Sequence, residues 1–231
     1  MKRFWKAVTL ELGDAGCAVQ LDGRPVKTPA RAALIVPNEK LAEAVAEEWR
    51  GVGETVDPRT MPLTGLANAA IDRVAADRVA FAAGLSRYAE ADLLCYRADG
   101  PQALVARQAE AWDPLLAWAR RRYDIDFVVT DSVMHVAQPP ATVEQLGHAV
   151  AALDSFQLAG LSPLVTIGGS LVAALAAFEH AVAPEAEWEA VSLDERWQAE
   201  HWGTDAEAEV ALDLRRRDFF AGAAFLALLD Q

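Results

Sequence analysis

Apolar and polar residues alternate along the start of the chain, in the period of two that is typical of β-strands. Residues 4–12 and 17–21 both follow this pattern. Asp22 and Gly23 are typical of a two-residue hairpin loop, here between residues 19–21 and 25–27. Together with a further short strand at residues 33–36, the pattern predicts a small sheet.

One helix is predicted immediately after these strands. Asn38 is a favourable helix cap, and Leu41, Val45 and Trp49 follow at every fourth position up to a stop near Gly51. A small sheet needs another element to cover its apolar face. The spacing of Leu41 and Trp49 therefore favours packing of this helix on the sheet.

From about residue 63 onward the apolar positions follow a helical period, as in the stripe of Leu66, Ala70 and Val74. Alanine is abundant, which raises helix propensity throughout. The predicted fold class is therefore α+β. A small N-terminal β-rich domain at residues 1–60 is followed by a larger, mainly α-helical domain at residues 61–231.

Three capping boxes predict where later helices begin, at Thr142, Ser192 and Thr204. Gly203 would then separate the last two of these helices. In the break between helices that precedes Thr142, residues 127–129 are a phenylalanine and two valines, and a short strand is expected there.

Residues 155–178 carry no charge and are long enough to span a membrane. Pro163 and several glycines interrupt them, however, and no cluster of Lys or Arg flanks them. The segment is therefore predicted to be the buried central helix of a helical domain, and no membrane insertion is expected.

Charge and cysteine content narrow the range of functions. The net charge of −13 argues against nucleic acid as a partner, because phosphate binding requires clustered basic residues. Cys17 and Cys95 are far apart, as expected for buried thiols in a reducing compartment. The first residues resemble neither a secretory signal nor a transit peptide.

No sequence motif predicts a metal site, a cofactor or a catalytic nucleophile. The four histidines form no HExxH or HxH spacing, and no GxSxG or SxxK motif is present. The triplet Gly168-Gly169-Ser170 precedes a helical segment and could cradle a phosphate. It lacks the lysine and glycine spacing of a P-loop, so a kink or close helix packing explains it better.

Nine acids lie in residues 185–209, beside one arginine. They are Glu185, Glu187, Glu189, Asp194, Glu195, Glu200, Asp205, Glu207 and Glu209. Most are placed in first turns of predicted helices, where the helix dipole stabilises negative charge. Glu200 is the exception, since it lies near the C-terminal end of a helix, close to Trp197 and Trp202. This arrangement indicates a binding surface.

Several motifs, in this order, give the chain a family resemblance. They are LDGRPVKTPAR (21–31), MPLTGLANAAIDRV (61–74), YAEADLLCYRA (88–98), RQAEAWDPLLAWA (107–119), LVTIGGSLVAALA (164–176) and LDERWQAEHWG (193–203). The chain resembles the assembly chaperones for the α subunit of F1-ATPase, the ATP synthase mitochondrial F1 complex assembly factor 2 family. The resemblance spans practically the whole chain.

The resemblance implies a molecular chaperone without enzymatic activity. Such a protein would bind the free α subunit, prevent its aggregation and support assembly of the F1 sector, with no cofactor. In this family the acidic helix near the C-terminus looks functionally important. The matching residues, expected to contact the partner, are Asp194, Glu195, Trp197, Gln198, Glu200 and Trp202.

The sequence also indicates where the protein acts, and it leaves two alternative functions open. Mitochondrial members carry a presequence and act in the matrix, whereas this chain begins almost at the first motif and is rich in arginine and alanine. A bacterial, cytoplasmic member is therefore expected. The chain could instead be a scaffold or ligand-binding protein of unknown partner. An acid/base enzyme is a further alternative, and it requires several acids of residues 185–209 to face one pocket.

Overall fold

The computed structural model describes residues 2–203 and 205–229, and the chain forms two compact units. The first unit contains Met1–Arg78, Asp154–Gly160 and Ala224–Gln231, and the second contains Val79–Leu153 and Leu161–Ala223. The division at residue 60 stays a prediction about where the chain separates into domains. The sheet lies in the first unit and the bulk of the helices in the second, which confirms the α+β class.

The sheet is antiparallel and is centred on one strand. Its strands are β1 (Val8–Gly13), β2 (Gly16–Leu21), β3 (Arg24–Pro25) and β4 (Ile35–Val36). Strand β2 pairs with β1 along its whole length, and its other edge pairs with β3 at one end and with β4 at the other. On β2, Cys17, Val19 and Leu21 are buried while the residues between them are not, as alternation predicts.

The predicted hairpin loop at Asp22 and Gly23 is confirmed. Both residues have positive φ, 51° and 77°, as a type I′ turn requires. The Asp22 carboxylate accepts hydrogen bonds from the backbone N–H of Ala7 at 2.9 Å and of Lys6 at 3.0 Å. The bond from Ala7 is the main cause of the lowered pKa of Asp22. The turn therefore also anchors the chain that enters β1.

Helix α1 (Glu39–Arg50) covers the sheet, as predicted. The Asn38 side chain accepts a hydrogen bond from the Leu41 N–H at 2.9 Å, which satisfies one of the unpaired donors at the helix start. Leu41, Val45 and Trp49 are buried, and the Trp49 ring meets the edge of Trp5 with centroids 5.3 Å apart. Trp49 is therefore a packing residue.

The remaining helices follow in an almost unbroken series. They are α2 (Pro62–Ala69), α3 (Arg78–Ser86), α4 (Gln102–Tyr123), α5 (Pro140–Ala151), α6 (Ser155–Gly168), α7 (Leu171–Phe178), α8 (Pro184–Val191), α9 (Leu193–Trp202) and α10 (Ala206–Leu229). A π-helical turn, Ala70–Val74, continues α2, and short 3-10 turns lie at Pro58–Thr60, Arg87–Ala91 and Leu93–Cys95.

Helix α2 is capped by a side chain of α1. The Glu48 carboxylate accepts hydrogen bonds from the N–H groups of Leu63 and Thr64, at 2.8 and 2.7 Å, and from the Thr64 hydroxyl at 2.7 Å. Negative charge at this end of a helix also matches the helix dipole. The contact explains the threonine in the MPLTG motif.

We expect Glu48→Ala to lower the free energy of unfolding by about 1–2 kcal/mol, because it leaves donors of the α2 N-terminus unpaired. Urea unfolding measures the change. The matched control is Glu47→Ala, since the neighbouring Glu47 forms an exposed ion pair with Arg50 and should contribute less than about 1 kcal/mol. Equal effects of the two substitutions would contradict the capping role.

Three predictions in the helical part are wrong. Helix α5 begins at Pro140, and the Thr142 hydroxyl donates to the Asp126 carbonyl at 2.5 Å instead of capping the helix. Residues 127–129 form no strand, although Tyr96 and Thr130 make an isolated parallel bridge nearby. The expected single helix at residues 155–178 is two helices, because Gly169 has φ +68° and ends the first of them.

A buried carboxylate holds the start of α7. Asp92 is fully buried, and it accepts hydrogen bonds from the N–H groups of Leu94 and Val172, each at 3.0 Å. Burial raises the pKa of Asp92 to about 6. The chain's own carboxylate thus occupies the helix N-terminus that a phosphate would use. The two motifs YAEAD and IGGSLV meet at this contact.

Gly168 allows close helix packing, as its motif predicts. A β-carbon there would lie 3.3 Å from a side-chain carbon of Val191 on α8. The Ser170 side chain accepts a hydrogen bond from the Ala173 N–H at 3.0 Å and caps α7. The glycine pair and the serine therefore shape the junction between two helices.

Candidate partner-binding surface

Helix α9 carries all six residues predicted to contact a partner, and it begins without a capping box. The Ser192 hydroxyl donates to the Trp188 carbonyl at 2.6 Å and accepts from the Arg196 guanidinium at 3.2 Å. The predicted box with Glu195 is therefore wrong. The second box, at Thr204, falls outside the described residues. The neighbouring Asp205 accepts a hydrogen bond from the Ala208 N–H at 2.7 Å.

Asp194 is held in place by the interior of the second unit. Its carboxylate accepts a hydrogen bond from the buried Gln108 side chain at 2.8 Å. The side-chain oxygen Oε1 of Gln108 in turn accepts a hydrogen bond from the Ala98 N–H at 2.8 Å. Asp194 therefore fixes the start of α9 on α4 and is only half exposed.

Trp197 is buried between two side chains of its own unit. The Arg107 guanidinium lies 4.8 Å from the ring centroid, and the His201 ring stacks at 4.0 Å between centroids with an interplanar angle of 23°. The cation–π contact of Arg107 stabilises the fold by roughly 0.5–1 kcal/mol. In the free protein Trp197 thus packs α9 against α4.

Arginines of the second unit pair with two of the predicted acids. Glu200 accepts a hydrogen bond from Arg107 at 2.7 Å, and this bond is the main cause of its lowered pKa. Glu195 forms an ion pair with Arg215 of α10. The position of Glu200 near the C-terminal end of α9 is therefore explained by a cation supplied from α4.

Trp202 differs from Trp197 because its side chain is exposed to solvent. It is 77% exposed at the end of α9. It lies on the edge of a groove of about 310 Å³ that Asp194, Trp197 and Gln198 also line. Tyr96, Leu104 and Val133 complete the apolar part of the same groove. We call it the Trp202 groove.

The segment opposite Trp202 is apolar and exposed, and the sequence reasoning missed it. Val133 is 99% exposed and Met134 is 71% exposed. The loop is nevertheless held by hydrogen bonds, since the His135 ring lies 3.2 Å from the Tyr96 hydroxyl and Met134 N–H donates to Ser132. Its signal in the sequence is an apolar pair between polar turn residues.

A second cavity, of about 550 Å³, lies on another side of α9. Leu193, Arg196 and Glu200 line it from α9, at spacings of three and four residues that place them on one face. Pro114 and Trp118 of α4 contribute to its apolar wall. Helix α9 therefore borders two concave surfaces with different residues.

The nine acids of residues 185–209 do not face one pocket. Glu189 and Glu200 line the larger cavity, but each is paired with an arginine, Arg196 and Arg107 respectively. Glu187 is buried apart from them, and Glu195 pairs with α10. Within the described ranges no group of His, Cys, Asp and Glu could hold a metal ion. The arrangement offers no acid/base pair for catalysis.

Comparison with known proteins places the chain in a family. Residues 2–120 match the ATP12 chaperone protein family. The chain belongs to this family. Atp12 from Paracoccus denitrificans is 42% identical, with a TM-score of 0.94 and coverage of 99% of this chain and 98% of that chain. A solved structure from Agrobacterium tumefaciens is 37% identical, with a TM-score of 0.94 and coverage of 99% and 86%.

A curated relative of this ATP12 chain is mitochondrial. It is the protein atp12 of Schizosaccharomyces pombe, 24% identical over 238 residues that cover 98% of this chain and 82% of the relative. Helix α9 lies beyond the segment that the family match covers, but inside the full-length matches. Among the described helices of this ATP12 chain, none is long and apolar enough to cross a membrane.

Membership of the ATP12 family confirms the predicted recognition. It also confirms the prediction of a chaperone for ATP synthase assembly, as opposed to an enzyme. The α subunit as the client, and the six residues of α9 as its contacts, stay predictions.

Proposed function

We propose that this chaperone binds the free α subunit of F1-ATPase, prevents its aggregation and supports its assembly into F1. The main structural support for this proposal is the exposed side chain of Trp202. A tryptophan that is 77% exposed beside an apolar groove is rare in a soluble protein and is typical of a binding hot spot. The neighbouring Val133 adds a second exposed apolar side chain at the same groove.

The chemistry of the client fits such a groove. A subunit separated from its assembly exposes apolar interface that associates unproductively. A chaperone must cover that surface and still be displaced by the next subunit. An interface with a few aromatic anchors and a polar rim meets both needs. The groove supplies Trp202 as anchor, with Asp194 and Gln198 as polar groups.

The proposal assigns different roles to the six predicted residues. Trp202 and Gln198 are exposed and are proposed to contact the client directly. Asp194 and Trp197 line the groove but are held by Gln108 and Arg107, so they are proposed to shape it. The carboxylates of Glu195 and Glu200 would set the negative potential around it, although each is paired with an arginine.

The site of action proposed for this chain is the bacterial cytoplasm, where an F1 sector is assembled. Eukaryotic relatives are mitochondrial by name. The net charge of −13 supports a protein client over nucleic acid.

We expect Trp202→Ala to weaken binding to the purified α subunit about 30-fold, the loss of a hot spot of about 2 kcal/mol. The melting temperature should stay within about 1 °C, because the side chain packs on little of its own protein. Titration calorimetry measures the first quantity and differential scanning calorimetry the second. The matched control is Val79→Ala, since Val79 is 75% exposed in the second unit and outside the groove.

Two results would contradict the proposal in different ways. If the wild-type chain neither binds the α subunit nor reduces its aggregation, the client is wrong. If the wild-type chain binds and Trp202→Ala binds equally well, the client stands but the groove is not its site.

A further inference from the structure

Most side chains in the first half of helix α10 are exposed to solvent. We call residues 206–218 the α10 arm. Within it only Leu212 and Arg215 are partly buried, whereas Phe219, the next residue, is completely buried. Val210 is 60% exposed and Leu214 is 47% exposed. The arm thus presents the apolar side chains of Val210 and Leu214 to solvent.

The two sides of the arm differ. Ala208, Ala211 and Leu212 line a cavity of about 390 Å³ that separates the arm from α9. At 100° per residue, Val210 and Leu214 lie on the opposite side, one helical turn apart. The outer side of the arm therefore carries an apolar pair in the spacing of a recognition helix.

Acidic residues border this apolar pair. Glu207 lies beside Val210 and Leu214 on one flank and Asp213 lies on the other, by the same helical geometry. Both carboxylates belong to exposed residues. Between residues 205 and 214 the chain has four acids and no basic residue. Three arginines follow at residues 215–217, and two of them form ion pairs within the chain, Arg215 with Glu195 and Arg217 with Asp218. A surface that covers the first turns of the arm must therefore be apolar where it meets Val210 and basic around it.

An isolated helix of this length is marginal in water, because helix nucleation is costly and tertiary packing supplies most helical stability. The arm begins with Asp205 capping Ala208 and is anchored at its other end by Phe219. Packing over its outer side, where Val210 and Leu214 are exposed, would add to this stabilisation.

We propose that the α10 arm docks as a helix into a groove of the client subunit that is apolar along its floor and lined by Lys or Arg at its rim. This inference rests on the proposed function, since it takes the client to be the α subunit. Val210 and Leu214 are the anchors, and Glu207 and Asp213 pair with the rim. The arm begins four residues after Trp202, so the two contacts can belong to one interface.

A second copy of the chain fits the arm less well than a client groove does. Two arms packed side by side would bury only one side of each helix, with two apolar anchors per copy. Stable protein interfaces bury about 1,200–2,000 Å² in total. A groove that surrounds the arm covers more of its circumference than another helix can.

The test compares binding of the purified α subunit to the full chain and to Val210→Ala/Leu214→Ala. Alanine has the highest helix propensity, so the arm keeps its helix while losing its anchors. We expect binding to weaken at least tenfold, with unchanged helix content by circular dichroism. In the wild-type complex we expect slower hydrogen exchange at the amides of residues 206–218. The matched control, Val79→Ala, should bind like the wild type.

A second variant tests the charges. Glu207→Gln/Asp213→Asn should lower the association rate and reduce its dependence on salt, because steering by these carboxylates is lost. If Glu207→Gln/Asp213→Asn associates at the wild-type rate, the proposal that the client groove has a basic rim is overturned.

Three outcomes separate the proposals. If the wild type and Trp202→Ala differ in binding while Val210→Ala/Leu214→Ala matches the wild type, the arm inference is overturned and the proposed function stands. If the wild type does not bind the α subunit, the proposed function fails and the arm inference fails with it. If sedimentation shows a wild-type dimer that the double alanine variant dissociates, the occupant is a second copy and the client groove is overturned.

Discussion

Asp92→Leu is expected to lower the free energy of unfolding by about 4 kcal/mol, one of the largest effects of a single substitution in this chain. The substitution leaves the N–H groups of Leu94 and Val172 buried without an acceptor. Each such group destabilises a fold by about 1–3 kcal/mol. Chemical unfolding measures the loss, and the start of α7 should show the fastest hydrogen exchange in the variant.

Asp92→Asn tests the effect of ionisation alone, because asparagine has nearly the same shape as aspartate but carries no charge. Burial raises the pKa of Asp92 in the folded chain to about 6 from an ordinary value of 3.8. The protonated form therefore contributes stability that is fully present below about pH 4 and is lost as the pH rises through about 6. Asparagine does not titrate, so its deficit relative to the wild type should shrink over this window.

The control for both variants is Asp126→Asn, because Asp126 makes an exposed ion pair with Arg120. It should change stability by less than about 1 kcal/mol. A stability difference between wild type and Asp92→Asn that stays constant from pH 4 to pH 7 would contradict the raised pKa.

Glu187→Met is expected to stabilise the protein by about 1–3 kcal/mol at pH 7. Glu187 is completely buried in α8, and neither carboxylate oxygen has a hydrogen-bond partner among the described residues. Burial raises its pKa well above 4.5. A buried polar group without a partner destabilises the folded state, and methionine of similar length removes the group while filling the space.

The pH dependence gives the second measurement at Glu187. Because the folded pKa is raised, wild-type stability should fall as the pH rises above about 4.5 and through the folded pKa. Glu187→Gln should remove this fall and keep the shape. If Glu187→Met destabilises the chain at pH 7, the carboxyl group contributes to the fold. If it stabilises the chain and weakens client binding, the acid is retained for function at the expense of stability.

Local patterns predicted the elements that neighbouring residues determine. The Asp22-Gly23 hairpin, the Asn38 cap and the burial of Leu41 and Val45 all depend on residues a few positions apart. The backbone geometry of the turn and of the cap favours particular residue types, and the sequence has those types at these positions.

Other predictions failed where a distant partner competes with a local one. Thr142 and Ser192 have the signature of helix caps, but their hydroxyls bond to the carbonyls of Asp126 and Trp188. Glu200 is at the unfavourable end of α9 because Arg107, 93 residues earlier, pairs with it. Sequence rules that consider only neighbouring residues cannot predict these contacts.

Exposure is the other quantity that the sequence could not supply. Trp197 and Trp202 lie five residues apart on one short helix, yet one is 5% exposed and the other 77%. The difference comes from Arg107 and His201, which cover the first ring. The family resemblance indicated both residues, and only the fold distinguishes a side chain that packs from one that is available.

Trp202, Val133 and the α10 arm leave apolar side chains in water on the same molecule, which would ordinarily favour precipitation. The net charge of −13 opposes this, because any two copies repel each other before their apolar surfaces can meet. At physiological salt this repulsion acts over about 8 Å and is screened beyond that distance. A client with basic residues beside its apolar surface experiences attraction instead. The acidity of the chain thus opposes self-association of its exposed apolar surface, and it would favour approach to the proposed client.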